Sequence, residues 1–290
     1  MKQESKTHSA RHMSLKQAIE RYVQDGMSVA LEGFTHLIPF AAGHEIIRQQ
    51  KRQLTLIRMT PDLIYDQMIG MGCARKLIFS WGGNPGVGSL HRFRDAVEND
   101  WPGNLQLDEH SHAAMAAAYQ AGASNLPFAM LRGYLGCDLP KVNPNISWIN
   151  CPYTNELLAT VPALRPDVTI IHAQQADLAG NVYLGGIIGV QREAALAAKN
   201  VIVTVEEVVE KLDLSLNASV LPHWVISAVC QVSGGASPSY AHGYYDRDNA
   251  FCKRWDDISR ERDSFRKWME AMVVSSADFA EYQKRVTIHG

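Results

Sequence analysis

Two rhythms of apolar residues alternate along this chain: short continuous runs, and stretches whose apolar positions recur every three or four residues. Ser14 precedes Leu15, Ala18, Ile19 and Tyr22, the spacing of a helix opened by an N-cap and carried to Val23. Asp25-Gly26 ends it, and Met27 to Leu31 follows as a buried strand running into Glu32-Gly33-Phe34. A second helix begins near Pro39 and carries Ala41, Ile46 and Ile47. The alternation repeats with strands at 54–59, 76–81 and 105–107, and helices at 62–71, 91–98 and 111–121. After a middle punctuated by Pro140, Pro144 and Pro152, strands are expected at 168–173, 201–205 and 224–232, with a helix at 192–199.

Strand–helix alternation with short connections predicts an α/β fold, a mostly parallel open sheet with helices on both faces. From about Asp246 the chain is charged and aromatic (Trp255, Phe265, Trp268, Tyr282), which predicts a helical C-terminal extension packed on the outside. Residues 1–12 read as a polar disordered tail and 13–290 as one domain. Ligands of such sheets bind beyond the carboxyl ends of the strands, so the chemistry belongs in the strand-end loops.

Composition narrows the chemistry. With 46% hydrophobic and 20% charged residues and a net charge of −2, the chain is globular and has no electrostatic case for nucleic acid or an anionic membrane. No run approaches the roughly 20 apolar residues that span a bilayer. The first twelve residues lack the apolar segment of a signal peptide, so a cytoplasmic protein is expected. The five cysteines are dispersed without a CxxC pair, which argues against a disulfide framework or a zinc ribbon. The dinucleotide fingerprint, the P-loop, the GxSxG elbow and HExxH are absent. His110 and His112 beside Glu109 are two residues apart and point to different faces, so no metal site is predicted.

Two loops stand out. Glu32-Gly33-Phe34-Thr35 follows a buried strand, and its glycine allows close backbone approach to a ligand with N–H groups free for an oxyanion. Gly82-Gly83-Asn84-Pro85-Gly86-Val87-Gly88-Ser89 carries four glycines after another strand and has the makeup of a carboxylate or phosphate cradle. A plain strand followed by a glycine turn, or a flexible connection, is the structural alternative for each. Further on, Asp177 and Gly180-Asn181 fit a turn between strands, and His172 on its apolar strand reads as a hydrogen-bonded core histidine.

In the order of these segments the chain resembles the class I coenzyme A transferases, specifically the α subunit of the glutaconate CoA-transferase type. The family signature corresponds to Asp25-Gly26, Val29-Ala30-Leu31 and Glu32-Gly33-Phe34, continued by Thr35 and Pro39 to Ala42. Collinear matches follow at Asp66-Gln67-Met68-Ile69-Gly70, Asn84 with Gly86-Val87, Leu126-Pro127-Phe128, Val168 to Ala176, Val203 to Glu207, Gly234 to Ser239 and Gly243 to Asp246. The resemblance runs from about residue 13 to 285. Two departures stand in it: Glu32 replaces the first glycine of the signature, and the loop from Phe34 to Pro39 is one residue shorter than usual.

The resemblance implies ping-pong transfer of CoA between carboxylic acids through an acyl-glutamyl anhydride, with the CoA thioester as substrate and no resident cofactor. The family's nucleophilic glutamate lies on a separate β subunit in a Glu-Asn/Ser-Gly motif. No glutamate here is followed by Asn-Gly or Ser-Gly, so no catalytic residue is assigned to this chain and a β partner is expected, as an α2β2 assembly. The implied substrate-binding residues are Glu32, Gly33, Phe34, Thr35 and His36, with Asn84, Gly86, Glu109 and His112. An inward, ionised Glu32 would disfavour an anionic acyl tail. A related group opens rings hydrolytically with an α-chain acid; that position is His112 here, with Glu109 one turn earlier, which favours transfer over hydrolysis. Acyl-CoA hydrolysis and a non-catalytic effector-binding domain are the alternatives.

Overall fold

A computed structural model describes residues 11–85, 87–213 and 218–289. The N-terminal half runs β1 (Arg11–His12), α1 (Leu15–Tyr22), β2 (Ser28–Glu32), α2 (Phe40–Arg48), β3 (Leu54–Ile57), α3 (Leu63–Gly70), β4 (Ala74–Phe79), α4 (His91–Glu98), β5 (Gln106–Glu109) and α5 (His112–Ala123). Next come β6 (Phe128–Leu131), α6 (Leu139–Val142), β7 (Ser147–Asn150) and β8 (Leu157–Pro162). The remainder is β9 (Val168–Asp177), β10 (Val182–Leu184), α7 (Gln191–Ala197), β11 (Asn200–Val209), β12 (Ser219–Leu221), β13 (Ala228–Gln231), α8 (Asn249–Arg260), α9 (Arg262–Trp268) and α10 (Phe279–His289).

Parallel strands build the sheet in the order β1-β13-β11-β9-β2-β3-β4-β5, with β10 and β12 added antiparallel. The predicted cap is present: Ser14 Oγ accepts from the Gln17 amide at 3.2 Å, and the Gln17 side chain accepts from Ser14 N at 3.1 Å. Alternate residues of each strand bury on opposite faces. Val29 and Leu31 join Ile19, Ala42, Ile46 and Leu56 on one side. Ala30 and Ile57 meet Met115, Tyr119, Ala194 and Ala197, from α5 and α7, on the other. Strands are added outward in opposite directions from the parallel pair β2 and β9, so their carboxyl ends lie at a topological switch point, where a crevice is expected.

Four expectations change. Arg11 and His12, read as tail, pair in parallel with Ala228 and Val229 of β13; residues 1–10 lie outside the described residues. The proline-punctuated middle folds into a separate antiparallel sheet, β6-β8-β7. β9 continues to Asp177 because the predicted turn makes a hairpin with β10: Asp177 Oδ1 accepts from Asn181 N at 2.8 Å, and Gly180 adopts φ 91°. The C-terminal helices are not an outer layer. Trp255 and Phe265 are fully buried in the main core, and the Trp255 indole donates to Asp66 at 3.0 Å. Among the described residues no helix is long and apolar enough to cross a membrane.

Candidate active site

The segment after β2 turns so tightly that only glycine fits its first position. A Cβ on Gly33 would lie 2.7 Å from the Leu37 carbonyl, 2.8 Å from the His36 carbonyl and 2.9 Å from Ile38 Cα, all backbone atoms that cannot swing aside. Thr35 and Leu37 take φ 58° and 51°, a left-handed conformation costing about 1 kcal/mol or more per non-glycine residue. Distant neighbours impose that shape. Leu37 N donates to Tyr240 O at 3.0 Å, Ser239 Oγ to Thr35 O at 3.0 Å, and His242 N to His36 Nε2 at 2.9 Å. An amide can only donate, so Nε2 accepts and Nδ1 carries the proton it gives to Ile187 O at 3.0 Å. Burial lowers the His36 pKa, which suits this neutral form. The structure therefore makes His36 an internal clamp with both nitrogens engaged. Phe34 and Thr35 remain half-buried at the crevice, where a Cβ on Gly189 would press on Phe34 at 2.7 Å.

The clamp has its own support. His172 Nε2 lies 2.7 Å from Glu206, whose carboxylate also accepts from the Tyr245 hydroxyl at 2.7 Å and from Gly234 N at 2.7 Å. Burial opposes ionisation of Glu206, but these partners outweigh it and hold its pKa down. His172 is thus the bonded core histidine the strand pattern predicts, and it fixes the strap 232–245 that grips residues 33–38. At the switch point itself sits buried Gln191, whose Nε2 lies 3.3 Å from both the Glu32 and the His172 carbonyls, joining β2 to β9.

Glu32 is buried and its carboxyl is engaged inside the fold. Its Oε1 accepts from the Tyr119 hydroxyl at 2.8 Å and from Met59 N at 3.1 Å, which ties β2 to α5 and to the end of β3. Burial raises its pKa to about 7, against the nearby Arg58 charge and those two hydrogen bonds. Arg58 is fully buried, donates to the Gly33 carbonyl at 2.8 Å and pairs with Asp62 at 3.0 Å.

The loop after β4 is organised differently. Asn84 is buried, and its side-chain amide donates to Cys252 O of α8 at 2.8 Å, which braces the loop against that helix. Gly86 lies outside the described residues. Beside this loop Ser80, exposed Trp81 and exposed His112 form a rim, with His112 Nδ1 3.1 Å from Ser80 Oγ. Glu109 is exposed at the end of β5. Its neighbour Asp108 is buried and ionised. Burial works against that charge, but His110 at 2.9 Å and Lys76 at 2.8 Å hold the carboxyl well below the usual range. Among the described residues no group of three or more His, Cys, Asp or Glu could hold a metal ion.

Residues 12–231 match the family model for coenzyme A transferase. The chain belongs to the coenzyme A transferase family. It is 64% identical to the α subunit of the 3-oxoadipate CoA-transferase of Pseudomonas knackmussii, over 94% of this chain and 97% of that one. It is 32% identical to the α subunit of the glutaconate CoA-transferase of Acidaminococcus fermentans, over 94% of this chain and 91% of that one. The solved glutaconate coenzyme A-transferase of Acidaminococcus fermentans superposes with a TM-score of 0.86 at 31% identity, covering 96% of this chain and 93% of that chain. For this CoA-transferase chain, the predicted residues Gly33, Phe34 and Thr35 gather at the switch-point crevice, with His112 and Glu109 further along the same edge. Glu32, His36 and Asn84 stand behind them as braces. Arg58, Tyr119, Ser80 and the strap residues Tyr240 and His242 were missed; an arginine inside an otherwise apolar run, Leu54 to Met59, was a local signal available.

Proposed function

We propose that this chain is the α subunit of a heteromeric CoA-transferase that moves CoA between an acyl-CoA and a carboxylic acid, with 3-oxoadipate as one acid. The observation that carries this reading is the 64% identity, along nearly the whole chain, to the α subunit of a 3-oxoadipate CoA-transferase. The lack of any Glu-Asn-Gly or Glu-Ser-Gly in the sequence supports a separate β chain that supplies the nucleophile. In the reaction the partner's glutamate carboxylate attacks the thioester carbonyl and expels CoA thiolate, leaving an acyl-glutamyl anhydride. The thiolate then attacks the glutamyl carbonyl and releases the first acid. The second acid reverses both steps and leaves with CoA.

This chain contributes one wall of the acyl site: Gly33 with its tightly turned backbone, half-buried Phe34 and Thr35, and the rim at Ser80 and His112. Each hydrogen bond from such a wall to a charged oxygen contributes about 1.5–3 kcal/mol. Glu32 is held by Tyr119 and Met59 N, with the Arg58 guanidinium nearby and burial opposing its charge. An acid with a second carboxylate fits that arrangement. The working assembly is a cytoplasmic α2β2 complex.

Co-expression with a β-type chain carrying Glu-Asn/Ser-Gly tests the reading, with succinyl-CoA as donor and 3-oxoadipate, glutaconate or acetate as acceptor. Formation of 3-oxoadipyl-CoA only when both chains are present is the expected result. Rapid release of free CoA without any acceptor acid would replace transfer by hydrolysis.

A further inference from the structure

We propose that Ser80 fixes His112 as its Nδ1–H tautomer and leaves Nε2 as a hydrogen-bond acceptor for the pantetheine arm of the CoA substrate. The inference rests on the reading of this rim as the transfer site. Ser80 Oγ lies 2.6 Å from the Met59 carbonyl and 3.1 Å from His112 Nδ1. A hydroxyl has one proton to give, and a carbonyl only accepts, so the shorter contact takes that proton. Ser80 can then only accept from the ring, and Nδ1 must be the donor. The lone pair of the neutral imidazole is left on Nε2.

The relay stands on fixed parts. Met59 O also receives the backbone amide of Ser80 at 3.2 Å, and Met59 N donates to the buried Glu32 carboxyl at 3.1 Å. At the other end, Ser111 caps α5 by accepting from Ala114 N at 3.2 Å, and Ser111 N donates to the Tyr134 hydroxyl at 2.8 Å. Only the imidazole itself is exposed. Substrate chemistry selects its partner. Carboxylate acids near neutral pH bring acceptors alone, whereas the pantetheine arm brings amide N–H groups toward the reacting carbonyl. An acceptor nitrogen on this rim therefore serves the CoA side, and Ser80 is a positioning residue acting through His112.

Two measurements test this. In the full chain, ¹⁵N-detected histidine spectra in mildly alkaline buffer should show His112 with a pyrrole-type Nδ1 and a pyridine-type Nε2. Ser80→Ala should move both toward a tautomeric average, and Ser80→Thr, which keeps the hydroxyl, should restore the wild-type pattern. An Nε2–H tautomer in the wild type, or a Ser80→Ala spectrum identical to wild type, overturns the relay. In the assembled enzyme, His112→Ala should raise KM for acyl-CoA about tenfold, the worth of one hydrogen bond, and leave KM for the acid unchanged. A rise in KM for the acid alone, or in neither, overturns the assignment to CoA. If the wild-type assembly transfers no CoA, the proposed function has failed; the spectra still judge the relay, and titrating CoA into the complex still judges the partner, because an unmoved Nε2 resonance would overturn the assignment.

Discussion

The loops after β2 and after β4 both follow parallel strands at the same end of the sheet, and the one poorer in glycine is the one gripped by distant segments. Residues 33–38 contain a single glycine, yet two other residues are forced into left-handed backbone and four hydrogen bonds arrive from residues 187 and 239–242. The loop at 82–89 holds four glycines, closes on itself through paired Asn84 and Gly88 backbone bonds, and reaches α8 through Asn84. Neighbours far along the chain, not glycine content, decide which loop is rigid enough to present backbone to a substrate.

Gly33→Ala should be the most damaging test of that contrast. With backbone on three sides of the new methyl, the loss is expected on the order of 4 kcal/mol in urea unfolding; a loss under about 1 kcal/mol would mean that residues 33–38 yield to the added methyl. Glu206→Ala attacks the support instead, leaving His172 and Gly234 N buried without their acceptor, and should cost about 3 kcal/mol. Chemical denaturation at neutral pH reads both.

Glu32 gives the third test, through pH. Its folded pKa of about 7 lies above the ordinary 4.5, so between those values the native state keeps a proton that the unfolded chain has released. Wild-type stability should therefore fall relative to Glu32→Gln as pH rises through this window, by up to about 3 kcal/mol. Parallel stability curves for the two proteins would show that Glu32 stays ionised in the fold. Smaller effects belong to the second loop. Asn84→Ala should cost about 1 kcal/mol, one hydrogen bond to α8. Gly82→Ala should change stability by less than about 0.5 kcal/mol, because its Cβ would meet only side-chain atoms at 3.5 Å or beyond.

Much of the parallel sheet was legible because its strands are buried on both faces and read as apolar runs, Val201 to Val205 above all. The sheet β6-β8-β7 was not. Its strands are four to six residues long, separated by prolines, and Phe128 and Met130 on β6 are exposed, so no inward-facing stripe marks them. The C-terminal helices were recognised, but their charged residues hid how deeply Trp255 and Phe265 insert. At the site, the strand-end position of Gly33 followed from local pattern. The role of His36 did not, since its two partners lie 151 and 206 residues away, and no local rule pairs such positions.

The strap that grips residues 33–38 begins after β13, the last parallel strand to be synthesised. A ribosome therefore completes every strand of the sheet before the residues that close the first loop emerge. A chain halted at Gln231 would contain the whole span matched by the family model, yet His36 would lack the amide of His242 and Thr35 the hydroxyl of Ser239. The clamp on residues 33–38 is thus completed only by segments synthesised late in the chain, as is the main core, which takes in Trp255 and Phe265.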